Sequence, residues 1–83
     1  MVLLNGSICR LCDIECGETA RVLSLSDENL LKERLSDLGF TEGTVVECIM
    51  KSPLGDPTAF LIRGAVIALR RDNSKHIAVE VMS

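Results

Sequence analysis

The chain has 83 residues, 47% of them hydrophobic, and a net charge of −3. That length holds one domain, residues 1–83, whose modest core covers roughly 60–65% of the unfolded surface. The acidic balance lacks the dense Lys/Arg footprint of nucleic-acid binding, no apolar run approaches the roughly 18 residues of a membrane span, and without Trp or Tyr there are no aromatic platforms for stacked bases or proline-rich peptides.

Residues 1–8 read as a loose lead-in, too short and uncharged for a signal peptide, which fits a cytoplasmic chain. Gly17-Glu18-Thr19 is a turn into a strand over residues 20–25. Ser24 or Ser26 can cap a helix over residues 27–38, with Asp27 and Glu28 favourable against its dipole and Glu28 paired to Lys32. Leu31, Leu35 and Leu38 fall on one face of that helix. Gly39 suits the left-handed residue that ends it, and Phe40-Thr41-Glu42-Gly43 then turns the chain into a strand over residues 44–51.

Pro53 and Gly55 suit a tight turn, and Pro57 holds Asp56 extended. Two apolar runs, residues 59–62 and 65–69, are joined at Arg63-Gly64 in a hairpin with a two-residue loop. Residues 72–75 are a polar connection with room for one helical turn. In residues 77–81, Ile77, Val79 and Val81 alternate with Ala78 and Glu80, marking a final half-buried strand. The order β-α-β-β-β-β predicts a mainly β domain: a small, bent sheet or barrel of about five strands, with one helix between the first two. Closure would remove apolar edges.

Few residues can carry catalysis. His76 is the one histidine, and no nucleophile elbow or phosphate-binding glycine motif is present. The bases Arg63, Arg70, Arg71 and Lys75 read as solvated surface. Asp56 reads as a turn residue, and Phe40 and Phe60 as core, with Phe40 also placed where a ring could be exposed for docking. The competing signal is the cluster Cys9, Cys12 and Cys16. Thiolates two to four residues apart can share a soft ion such as Zn²⁺ or Fe²⁺, with Cys48 or His76 completing the set from afar. An iron–sulfur cluster has other usual spacings. The simpler reading, preferred over a metal site, is reduced thiols acting as small hydrophobes, with a disulfide last because the cytosol is reducing.

In order and spacing, several segments resemble the FeoA family of small proteins of bacterial ferrous iron uptake. They are Gly17-Glu18-Thr19-Ala20-Arg21-Val22, Arg34-Leu35-Ser36-Asp37-Leu38-Gly39-Phe40-Thr41-Glu42-Gly43-Thr44, Ser52-Pro53-Leu54-Gly55-Asp56-Pro57, Ala59-Phe60, Ile62-Arg63-Gly64, Ile67-Ala68-Leu69-Arg70 and Ile77-Ala78-Val79-Glu80. The resemblance implies an SH3-like β-barrel. It also implies an accessory or regulatory role without catalysis, and a partner, the cytoplasmic GTPase-containing part of the FeoB membrane transporter. It gives no metal-ligand set, and the cysteine cluster lies outside its motifs.

Three functions from different classes follow as expectations. The first is a FeoB-binding module contacting its partner through Leu38, Gly39 and Phe40, the turn Pro53, Leu54, Gly55, Asp56 and Pro57, and Arg63 and Gly64. The second is a metal-sensing or metal-carrying domain using Cys9, Cys12 and Cys16. The third is a self-associating structural module that pairs exposed strand edges.

Overall fold

The computed structural model describes residues 7–25 and 30–82. Strand β1 (Ser7–Arg10) leads through a 3₁₀ turn (Leu11–Asp13) to β2 (Thr19–Leu25), helix α1 (Leu30–Asp37) and β3 (Val45–Lys51). The hairpin β4 (Thr58–Ile62) and β5 (Ala65–Leu69) follows, then the single turn α2 (Arg71–Ser74) and β6 (Ile77–Val81). All pairings are antiparallel, and the described strands form one sheet in the order β1-β6-β2-β3-β4-β5.

Two expectations are corrected. The sheet has six strands, because Ser7–Arg10 is no lead-in: it pairs with β6 from Ser7 opposite Val81 to Arg10 opposite Ala78. Nor does the sheet close as a barrel. β1 pairs only with β6 and β5 only with β4, so both remain edges. The predicted N-terminal turn of α1 at Asp27 and Glu28 lies outside the described residues, as does Ser26. Ser24 belongs to β2.

Bending comes from two irregularities. The β2–β6 register shifts between Val22 and Ser24, and the β3–β4 register between Cys48 and Met50. Each extra residue changes the phase of alternation. In β2 the buried set is therefore Ala20, Val22 and then Leu25, where strict alternation would have turned Ser24 inward. The single core also takes Leu11 and Ile14 from the chain before β2, Leu35 from α1, and Phe60, Ile62, Leu69, Ile77 and Val79 from the later strands.

Helix α1 ends in a Schellman motif. Gly39 N–H donates to the Ser36 carbonyl and Phe40 N–H to the Leu35 carbonyl, both at 3.0 Å. Gly39 takes the positive φ of +112° that this motif needs. The turn swings Phe40 inward, fully buried, edge-on to Phe60 with centroids 6.5 Å apart and planes at 88°. Phe40 therefore presents no ring to a partner, and its docking role is corrected. Leu35 is buried beside it while Leu38 remains 44% exposed, so these two leucines of the stripe divide between core and surface; the Leu31 side chain lies outside the described residues.

A methyl on Gly39 would sit 3.6 Å from Ile62 Cδ1, an ordinary contact, so the constraint at this position is backbone conformation. Gly39→Val forces a β-branched residue into a left-handed φ. It is expected to cost about 2 kcal/mol in urea denaturation, and an unchanged midpoint would contradict this reading of the helix end.

Candidate docking surface

The expected contact residues do not form one surface. Arg63 (φ +52°) and Gly64 (φ +82°) make the tight β4–β5 turn, matching the two-residue loop read from the sequence. That turn packs beside the end of α1: a methyl on Gly39 would lie 3.7 Å from Arg63 Cδ, and the Arg63 guanidinium donates to Thr44 Oγ1 at 3.4 Å. Leu38, Gly39, Arg63 and Gly64 thus share one pole, with Phe40 beneath them. The 52–57 turn lies at the far end of β4, a five-residue strand of about 17 Å. It forms a second pole.

The second pole is built by its own hydrogen bonds. Gly55 N–H donates to the Ser52 carbonyl at 2.7 Å, and Ser52 N–H to the Pro57 carbonyl at 3.1 Å. The Asp56–Pro57 peptide is cis. The Asp56 carboxylate reaches out of the turn, and its Oδ1 accepts the backbone N–H of Arg71 at 2.8 Å. That N–H opens α2 and has no partner within so short a helix, and a carboxylate is its favoured acceptor. Asp56 thus ties the turn to α2.

Between this turn and the sheet lies an open apolar cleft of about 330 Å³, lined by Met50, Ser52, Pro53, Pro57, Ala59 and Ala68. Its origin is strand phase. Phe60 faces the core, so Ala59 faces out, opposite Met50 on β3 and Ala68 on β5. Two alanines side by side leave a hollow that Met50 and the two prolines wall. Leu54 at the tip of the turn is 95% exposed and Met50 60% exposed. Ser52 Oγ is buried with no hydrogen-bond partner among the described residues. The cleft therefore combines apolar walls with one convergent polar group. Only Pro53 and Pro57 of its lining were among the expected contact residues. The Met50–Ala59–Ala68 row emerges only once the bulge and hairpin registers are known.

The cysteines divide in another way. Cys9 sits on β1 opposite Val79, half-buried, its thiol pushed up by burial and then by the charges of Asp13 and Glu18 and by Cys12. Cys12 lies in the 3₁₀ turn and points its thiol at Asp13 Oδ1, 3.7 Å away. Cys16 leaves both and meets the buried Cys48 of β3, Sγ to Sγ at 4.0 Å. Among the described residues no three His, Cys, Asp or Glu side chains gather as a metal site. The structure does not bring Cys9, Cys12 and Cys16 into one group: the first lies on β1, the second in the 3₁₀ turn beyond the buried Leu11, and the third meets Cys48 of β3. His76 lies in the turn before β6 and joins no such group.

Surface charge is paired rather than massed. Arg21 bonds Glu80 across β2 and β6 at 2.7 Å, and Asp13 takes Arg10 at 3.2 Å and Arg71 at 3.7 Å. Burial pulls the Asp13 carboxyl upward, but the Arg10 hydrogen bond and the two guanidinium charges outweigh it and hold the group below its usual value.

The FeoA domain model matches residues 9–81. This chain belongs to the FeoA family. Over 74 residues it is 27% identical to a fusion of Fe(2+) transport protein A with the Fe(2+) transporter FeoB from Porphyromonas gingivalis, covering 89% of this chain and 9% of the fusion. The chain thus spans under a tenth of that relative's length. A FeoA-like protein from Clostridium acetobutylicum superposes with a TM-score of 0.85 at 30% identity, covering 98% of this chain and 92% of the other. FeoA from Stenotrophomonas maltophilia, solved with zinc and described as a prokaryotic SH3 domain protein, gives 0.75 at 28% identity, covering 84% and 87%. The fold is SH3-like, and the family is associated with ferrous iron transport. Among the described residues no helix is long and apolar enough to cross a membrane.

Two substitutions check how the second pole is built. Ser52→Ala removes an unpaired buried hydroxyl and should stabilise the chain by about 1 kcal/mol. Asp56→Ala removes the acceptor for Arg71 and should cost about 1 kcal/mol. Urea midpoints read both, and a reversed sign at either position would contradict this arrangement of the turn.

Proposed function

We propose that this FeoA protein is a non-catalytic accessory module of ferrous iron uptake that docks on the cytoplasmic, GTPase-containing part of FeoB through the cleft beside the 52–57 turn. It therefore acts in the cytoplasm. The observation that carries the reading is the apolar hollow of Met50, Pro53, Pro57, Ala59 and Ala68 with Leu54 standing beside it. An exposed apolar patch of this kind on a small domain is characteristic of a protein interface. The Porphyromonas fusion supports the choice of partner, since it carries both proteins in one chain. The first pole is less apolar, with Arg63 engaged on Thr44 and Phe40 withdrawn into the core.

Titration of the protein into FeoB's cytoplasmic domain, with each nucleotide state in turn, tests this. Leu54→Asp and Ala68→Arg should each weaken binding at least tenfold, about 1.4 kcal/mol, while Arg63→Ala changes it less than twofold. Binding absent in every nucleotide state, or lost with Arg63→Ala and kept with Leu54→Asp, would overturn the proposal.

A second reading rests on β5. Its sequence Ala65-Val66-Ile67-Ala68-Leu69 holds no charge or proline, and it pairs on one side only. Such an edge is a template for another strand, and a second copy of the chain is the partner it fits. Light scattering across a concentration series should then show a dimer that Val66→Lys dissolves. A monomer at all concentrations would remove this reading.

A further inference from the structure

We infer that Cys16 and Cys48 are an oxidisable thiol pair, which a low-molecular-weight disulfide such as glutathione disulfide converts into a reversible cross-link between the turn before β2 and strand β3. The two sulfurs are 4.0 Å apart although 32 positions separate them in sequence. Their approach is held by the backbone: Gly17 N–H donates to the Cys48 carbonyl at 2.7 Å, and Cys48 N–H to the Glu18 carbonyl at 3.0 Å. Both main-chain groups of Cys48 are therefore bonded to the two residues that follow Cys16. Side-chain torsion with a slight backbone shift can close the sulfurs to the roughly 2.05 Å of a bond.

The two thiols differ in a way that orders the reaction. Cys16 is exposed and Cys48 buried. The Cys16 thiolate attacks one sulfur of glutathione disulfide, forming a mixed disulfide and releasing one glutathione thiolate. The Cys48 thiolate, its proton lost to solvent, then attacks Cys16 Sγ and expels the second glutathione. Two protein thiols lose two electrons and two protons, and one glutathione disulfide becomes two glutathiones. Burial first, then the Cys16 hydrogen bond, raises the Cys48 thiol to about 11; Cys16 and Glu15 add negative charge, and Lys51 opposes them. The second step is therefore the slow one and quickens with pH. The cross-link falls next to the β3 irregularity that sets Met50 on the outer face.

The reduced full-length chain, incubated with glutathione disulfide, acid-quenched and peptide-mapped, tests this. The expected product has lost two hydrogens and links Cys16 to Cys48. Dithiothreitol reverses it, Cys16→Ser abolishes it, and Cys12→Ser leaves it intact. Decay of the mixed disulfide should accelerate about tenfold per pH unit below the Cys48 value. A mixed disulfide on Cys16 that persists while Cys48 remains alkylatable after unfolding would overturn the inference. So would a dominant Cys9–Cys12 linkage, or a decay rate that ignores pH.

Discussion

The edge-to-face contact of Phe40 with Phe60 fixes what the rest of the molecule presents. These are the only two phenylalanines in a chain without Tyr or Trp, and both lie in the core. With Phe60 inside, the period-two alternation of a strand leaves Ala59 and Leu61 no choice but the outer face. Ala59 then aligns with Met50 and Ala68 by register, and the hollow at the second pole follows. Phe40 reaches its place because Gly39 accepts a left-handed conformation, which also sets the end of α1 against Ile62 and Arg63. One packed pair thus determines the inner face of β4, the position of the helix end and the location of the cleft.

Much of this is legible in the chain. Arg63-Gly64 between two apolar runs has one compact solution, and the structure adopts it with both residues at positive φ. Gly39 after a leucine-periodic segment marks the helix end for a similar reason. Local chemistry settles such features, and local chemistry is what a sequence displays. β1 is hidden because Ser7-Ile8-Cys9-Arg10 has no strong period; its strand state comes from pairing with β6, some seventy positions away. The two poles look like one surface in the sequence because conspicuous turns at opposite ends of a strand carry the same residue types.

The cysteines show the same limit. Spacing makes Cys9, Cys12 and Cys16 look like ligands of one ion, but spacing says nothing of direction. Cys9 lies on β1 and Cys12 in the 3₁₀ turn, while Cys16 finds its neighbour on β3. Asp56 is a turn residue, as its flanking Gly55 and Pro57 indicate, yet its acceptor role for Arg71 depends on α2 lying beside that turn, which only the folded chain establishes.

Docking through the second pole is the claim on which the functional reading turns, and hydrogen–deuterium exchange of the protein mixed with FeoB's cytoplasmic domain probes it most directly. Slowed exchange concentrated in residues 50–57 and 65–69, with residues 38–44 and 63–64 unchanged, is the predicted pattern. Protection confined to residues 38–44 and 63–64, or none at all, would contradict docking through the cleft.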